Sequence, residues 1–460
     1  MSELVWFRND LRSLDNTALH LAAKSGKPLR ALYIATPGQW QLHNTSPRQL
    51  SLIAAVLHSL ASSLAKLGVP LDIEFANLFS DVPELLQNYC RKHDITALHA
   101  NREYLLNEVA RDKNVSNKLT IPCHWHHDRL IVPPDALLNG SGLPYRIFTP
   151  FAKSWRSVMH QSQLTPLKKP NALGETISPK PMPTFCDTVP APGWPDNEDD
   201  ALERLRTFCA ERVQDYDRQR DLPAIDGTSQ LSASLAIGLL SPRQCLARLQ
   251  AEAREHWQEQ SGGESIWLNE LIWREFYQHV TYHFPQVVKG RAFKAETDNI
   301  QWRNDTEHFQ AWCEGRTGFP IVDAGMRQLN QTGWMHNRLR MITAGFLVKD
   351  LHIDWRWGER YFMSQLIDGE FSANNGGWQW SASTGTDAAP YFRIFNPTTQ
   401  GKRFDPDGDF IRRFVPELAH LDKLDIHSPP ANECYPAPIV DHAAARKVTL
   451  DLFEAVRAMK

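Results

Sequence analysis

Apolar and polar positions along the first 130 residues predict strands separated by helices. Short apolar runs, LVWF at 4–7, LRALYIA at 29–35, PLDIEFA at 70–76 and ITALHA at 95–100, alternate with helical stretches such as PRQLSLIAAVLHSLASSLAKLG. Near-continuous apolar runs of this length suit strands covered on both faces, with the intervening helices as the cover. The pattern predicts an α/β, doubly wound parallel sheet of Rossmann-like type over residues 1–130. No GxGxxG or GxxxxGK[ST] follows any of the runs, so a nucleotide cradled by a glycine-rich turn is not supported there.

The pattern then lapses. LTPLKKPNALGETISPKPMPTF and VPAPGWPDNEDD are too rich in proline for regular structure, and residues 131–200 read as a connector. From 201 to 460 the period becomes 3.6, predicting an all-α domain. Ser241 followed by Pro242 is a helix start, and long helices are expected over 264–280 and 334–351.

Both long helices have two-sided faces. At about 100° per residue, Leu268, Ile272, Phe276 and Val280 form one stripe, while Glu270, Trp273, Arg274 and Tyr277 fall opposite. That second face fits either an exposed Glu/Arg pair or a surface that stacks on a flat ligand and bonds its edge. In the second helix Met335, Leu339, Ile342 and Phe346 form the core stripe. Asn337, Arg340, Met341 and Ala344 share the other face, which suits a pocket wall for a polar-edged aromatic ligand. GTSQLSAS, 227–234, fits either a helix cap or a phosphate-binding turn.

The segment 371–397, FSANNGGWQWSASTGTDAAPYFRIFNP, follows neither period and is expected to be a loop. Gly376 and Gly377 would let backbone approach a ligand, Asn374 and Asn375 supply donors and acceptors, and Arg393, Lys402 and Arg403 are candidates for phosphate contacts.

Composition narrows the reading. At 460 residues and 42% hydrophobic content the chain can build two or three domains. The net charge of -3 excludes a generally basic protein but not a local cationic patch. Seven cysteines are scattered singly, without metal-site spacing, so no metal is expected. No signal sequence or membrane-length apolar run is found, and a cytoplasmic location without membrane contact is expected. There is no GxSxG, no HExxH and no acidic metal cluster, so an enzyme of this sequence would leave the difficult chemistry to a cofactor.

WLNELIWREFYQHV, GRTGFPIVDAGMRQLNQTGWMHNRLRMITAGFLVKDL and DGEFSANNGGWQWSASTGTDAAPYFRIFNP strongly resemble the photolyase/cryptochrome family, in detail its bacterial class I cyclobutane pyrimidine dimer photolyases. The resemblance runs from LVWFRNDLR to FIRRFVPEL and implies an α/β antenna domain, a connector and a helical domain holding FAD. Matched motif by motif, it implies that Tyr216, Thr228, Ser229, Leu231 and Ser232 hold the FAD phosphates and ribityl chain, with Trp267 and Arg274 beside them. Arg340 would pair with Asp368 against the isoalloxazine, Asn374 would face flavin N5, and Glu370 would lie near the flavin.

On the substrate side the resemblance implies DNA carrying a flipped-out dimer, received by Glu270, Trp273, Asn337, Met341 and Trp380. Arg220, Arg338, Arg393 and Gln400 would grip the backbone around it. It also implies an electron-transfer chain from Trp378 through Trp355 to Trp302, so that Trp378 and Trp380, two residues apart, serve different partners. His43, Asn107, Glu108 and Lys289 match the family's contacts to a 5,10-methenyltetrahydrofolate antenna.

Two positions depart from the family pattern: Val288, where close relatives carry Cys, and Glu370, where Asp is usual. A (6-4) photolyase would need a proton-transferring histidine where this chain has Asn337, though His336 is adjacent. A signalling cryptochrome would often carry a long C-terminal tail, and a plain flavin oxidoreductase lacks sequence support. A monomer is expected, since no heptad or dimer stripe is seen.

Overall fold

The computed structural model describes residues 1–159, 164–187, 189, 192–253, 261–430 and 434–458. Five strands, β1 (Ser2–Phe7), β2 (Leu29–Ala35), β3 (Leu71–Phe75), β4 (Ile95–Asn101) and β5 (Cys123–His126), form one parallel sheet in the order β3-β2-β1-β4-β5. The centre is buried on both faces: Leu4, Val5 and Phe7 of β1 and Ala31 and Leu32 of β2 are fully enclosed. That explains the unbroken apolar runs. The strand order reverses between β1 and β4, the place where open α/β sheets offer a crevice at their carboxyl ends. β5, CHWH, has no apolar run and only partial cover at the sheet edge, so the apolar pattern does not reveal it.

By contact the chain forms two compact units. One comprises Met1–Gln214 with Ser229–Pro285, the other Asp215–Thr228 with Gln286–Lys460. The helix Gly263–His283, which periodicity assigns to the helical part, belongs to the first unit. The reason is specific: Glu275, 1% exposed, accepts from Ile131 N, Val132 N and Trp155 Nε1, and His279 Nε2 bonds Val132 O. At the helix start, a Cβ on Gly263 would fall 1.9 Å from Val213 O, so only glycine fits.

Within 131–200 the structure has a short 3-10 turn, Pro134–Ala136, and a helix, Phe148–Met159. The described residues of 164–197 carry neither helix nor strand. They are pinned to the rest of the first unit by bonds that include Leu167 N to Asp15 Oδ1, Asp15 N to Leu167 O, Leu173 N to Leu67 O and Ile177 N to Ala65 O, and by the Lys180–Asp72 pair.

The second unit is helical, with a core of Trp312, Leu339, Phe346, Trp355, Phe362 and Trp378 among others. The Asn337–Lys349 helix starts from His336, whose Nδ1 accepts from Arg338 N, and it buries the predicted stripe of Met335, Leu339, Ile342 and Phe346. The segment expected to be a loop is a helix over its first part, Phe371–Ser381. Its two glycines and two asparagines are poor helix formers, each costing up to about 1 kcal/mol against alanine. Burial of Trp378 and a side-chain bonding ladder outweigh that cost. Among the described residues no helix is long and apolar enough to cross a membrane.

Candidate functional site

In the second unit the Phe371–Ser381 helix is fixed from below. Asn375 Nδ2 donates to Glu359 Oε1 at 2.7 Å, Gln379 Nε2 donates to Asn375 Oδ1 at 3.0 Å, and Gln379 Oε1 accepts from Phe293 N at 2.8 Å. Asn374 Nδ2 donates to the backbone oxygen of Glu359 at 3.0 Å. Burial pushes the Glu359 carboxyl up to about 7. One turn beyond Asn374, Trp378 is 2% exposed and packs edge-on to Phe362 and Trp312, while Trp380 stays partly exposed.

Arg340 is held at both ends: Nε donates to Met335 O at 2.8 Å and NH2 to Asp368 Oδ2 at 2.7 Å. The second oxygen of Asp368, Oδ1, is buried and has no partner among the described residues, and neither has Trp378 Nε1. An unused buried acceptor beside a guanidinium is costly unless a ligand's N–H meets it. This is the observation by which the residues of the second unit fit a polar-edged aromatic cofactor. Glu370 stands at the start of the Phe371 helix.

Several expected DNA contacts also lie in this unit. Asn337 is exposed at the first position of its helix, with Met341 partly exposed one turn on. Arg338 is a bound cation: NH2 pairs with Asp221 Oδ2 at 2.7 Å and the guanidinium lies 4.3 Å over Phe404. Arg393 is exposed, and Arg220 and Gln400 are partly so. Tyr216 is buried and Thr228 partly exposed. His336 is 2% exposed, and burial holds it down to about 4, so this neighbour of Asn337 serves as a neutral helix cap.

Trp355 is 1% exposed at the start of the Trp355–Gln365 helix, with Arg356 stacked 4.7 Å over it. Trp302 is partly buried and packs against the main core and against Ile300, Phe453 and Val456. Lys289 is exposed and Val288 partly so.

In the first unit the second face of the Gly263–His283 helix carries Glu270, Trp273, Arg274 and Tyr277, all partly exposed, opposite a buried stripe of Leu268, Ile272, Phe276 and Val280. Arg274 donates to the backbone oxygens of Arg129 and Leu235. Trp267 is buried against Phe208. Leu231 is buried, Ser229 is partly exposed, and Ser232 opens a helix of only five residues, Ser232–Ala236.

A separate cluster in this unit lies past β2. His43 Nε2 meets Gln39 Nε2 at 2.9 Å and Asn107 Nδ2 at 3.2 Å. Gln39 Oε1 accepts from Phe79 N, so its nitrogen points at His43. Two amide donors on one ring nitrogen make that nitrogen an acceptor, and burial keeps His43 neutral by lowering its pKa. Next to Asn107, the buried Glu108 has one oxygen, Oε2, without a partner among the described residues. Burial and the neighbouring Glu103 carboxylate push Glu108 up to about 7. Arg111 and Arg8 hold Glu103 down to about 2.

Some participants escaped the sequence reading. Glu359 and Asp221, the partners of Asn375 and Arg338, are ordinary acids in sequence, and Phe148, stacked on Trp273, lies in the expected connector. Gln379 carried a weak signal, standing four residues after Asn375.

Residues 3–171 match the family model described as DNA photolyase, and residues 267–455 the one described as FAD binding domain of DNA photolyase. The deoxyribodipyrimidine photo-lyase of Escherichia coli (strain K12) is 50% identical over 473 aligned residues, covering 100% of both chains. A bacterial class III photolyase from Agrobacterium tumefaciens superposes with a TM-score of 0.84 at 36% identity, covering 99% of this chain and 98% of its own. A Synechocystis cryptochrome gives 0.85 at 29% identity, covering 98% and 99%.

Proposed function

The chain belongs to the photolyase/cryptochrome family, and we infer that it repairs cyclobutane pyrimidine dimers in DNA under light with FAD as cofactor. The observation that carries this reading is the end-to-end likeness to a deoxyribodipyrimidine photo-lyase, at 50% identity against 29% to the cryptochrome. The reaction is that of a carbon–carbon lyase, and DNA is its substrate. FAD, when bound and reduced, supplies under blue light the electron that opens the cyclobutane ring and takes it back.

The chain's own residues have the remaining tasks. In the second unit Arg340 and Asp368 are assigned to the flavin edge, a role supported by the unpartnered Asp368 Oδ1. Asn374, its Nδ2 already committed to Glu359 O, offers its amide oxygen, and Glu370, Tyr216 and Thr228 are assigned to the cofactor as well. By the family's motifs, Ser229, Leu231, Ser232, Trp267 and Arg274 are assigned to the FAD phosphates and ribityl chain and their surroundings. Trp378, Trp355 and Trp302 are assigned to carry electrons, two of them buried where no water competes.

For the lesion, Trp273 and Trp380 provide flat surfaces for stacking, Glu270 a carboxylate for the pyrimidine edges, and Asn337 and Met341 the wall. A dimer distorts its duplex and costs less to flip out than a normal pair, which favours damaged over intact DNA. Arg220, Arg338, Arg393 and Gln400 hold the flanking backbone. Arg338, already paired with Asp221, acts there as a fixed fork rather than a loose charge.

The His43, Asn107 and Glu108 cluster is assigned to a folate antenna, with Lys289 as a further contact. The unpartnered oxygen of Glu108 suits the N–H edge of a pterin. The protein is further proposed to act as a cytoplasmic monomer. The test is repair of an oligonucleotide bearing one cyclobutane thymine dimer by photoreduced protein under blue light, with dark and (6-4)-lesion controls. Light-dependent restoration of the dimer substrate alone supports the reading; binding without repair by fully reduced protein overturns it.

A further inference from the structure

Trp273 does not stand alone on its helix face. The ring of Phe148, the first residue of the helix Phe148–Met159, lies on it with centroids 3.6 Å apart and planes 3° from parallel. Two aromatic rings left to themselves prefer offset or edge-on arrangements. A face-on stack this close is therefore imposed by what surrounds it. Phe276, fully buried in the same unit, meets Phe148 edge-on at 5.9 Å and Trp273 edge-on at 5.6 Å. Phe151, one turn further along the Phe148 helix, packs on Phe276 at 5.1 Å. Tyr277 lies 5.5 Å from Trp273 at 32°. The indole plane is thus set from the core outwards by a cluster drawn from two helices.

A side chain that must stack on a flat ligand loses rotamer freedom when it does so, at about 0.5–1.5 kcal/mol for each side chain immobilised. A stacking platform already locked in its bound orientation avoids that loss. Among the described residues Phe148 alone touches the face of Trp273 in parallel, and Phe276 touches its edge. Phe148 therefore sets the tilt of the indole, while Phe276 sets its depth.

We propose that Phe148 is a positioning residue for lesion recognition, holding Trp273 in the plane on which the flipped pyrimidine dimer stacks. The inference rests on the assignment of Trp273 to the lesion. Phe148→Leu and Phe148→Met remove the ring while keeping most of its volume, and either serves if the other does not fold. Phe148→Tyr keeps the ring. The readout is equilibrium binding in the dark to an oligonucleotide with one thymine dimer and to its undamaged twin, on FAD-loaded protein.

The Leu and Met variants should weaken dimer binding about three- to tenfold, the scale of one aromatic pair, with binding to undamaged DNA unchanged. Phe148→Tyr should restore it. In a Trp273→Leu background, Phe148→Leu should have no further effect. Unchanged dimer binding in Phe148→Leu, alongside a loss in Trp273→Leu, overturns this inference and leaves the lesion assignment standing. An equal loss on damaged and undamaged DNA, or a full additional loss in the Trp273→Leu background, also overturns it. Unchanged binding in Trp273→Leu itself overturns both.

Discussion

The indole of Trp378 fills the hollow left by Gly358: a Cβ built on that glycine would fall 2.1 Å from Cη2 and 2.5 Å from Cζ3. Leu347 Cδ2 closes the same space at 2.6 Å. Gly358 lies inside the Trp355–Gln365 helix, where alanine would ordinarily be the better residue by up to about 1 kcal/mol. Gly358→Ala should instead destabilise by about 1–3 kcal/mol, because a buried ring has to move. Urea unfolding measures this, and a more stable variant would show that Trp378 does not need the hollow.

Trp302→Phe should leave FAD content and dimer repair by chemically reduced protein near wild type. Photoreduction of oxidised flavin should fall at least about tenfold, read as a ratio of rates. Absorbance at the flavin bands under steady blue light reports it. Equal photoreduction in the two proteins would remove Trp302 from the proposed electron path.

Glu108 sets a pH dependence whose sign is fixed. Its folded pKa stands near 7 against an ordinary 4.5, so the fold holds a proton that the unfolded chain releases between those values. The stability this contributes is complete below pH 4.5 and is lost as pH rises through 7, by about 3 kcal/mol in all. Glu108→Gln is neutral at every pH and should lack this slope. The difference in unfolding free energy between variant and wild type should therefore widen from pH 5 to pH 8. A constant difference would contradict the assignment.

Glu275 satisfies three buried N–H donors at once. Glu275→Ala strands all three and should cost about 3 kcal/mol or more. Glu275→Gln keeps one acceptor oxygen and should cost less. Denaturant titration decides, and a loss below about 1 kcal/mol in the alanine variant would mean that water replaces the carboxylate.

The sheet was legible because its central strands are apolar on both faces, and the two long helices because one stripe of each is. β5 was not, since CHWH lies at an edge and needs no apolar run. The Phe371–Ser381 helix defeated local reading for a different reason: what holds it is the bonding of Asn375 and Gln379 to Glu359 and Phe293, groups at least 16 positions away along the chain. Periodicity and composition singled out the faces carrying Glu270, Trp273, Asn337 and Met341 and the Asn374 segment, but the role proposed for each residue came only through the family's motifs. Asn337 and Met341, apart from that, are an exposed helix start and a half-covered methionine. Glu359, Asp221 and Phe148 act through contacts that no spacing announces. Likewise, the grouping of the Gly263–His283 helix with the sheet rests on the buried bonds of Glu275.

The helix Phe371–Ser381 bears on how such a protein can be varied. Its inner residues, Asn375 and Gln379, act as a fastening together with Asn374 and the buried Trp378, while Trp380 stays partly exposed. On the roles proposed above, a change at Trp380 would retune what is stacked there without loosening Trp378, so that lesion preference and electron supply would drift separately. A change at Gln379 would disturb both together. The fastening, rather than the chemistry it carries, is therefore where tolerance to substitution should be least.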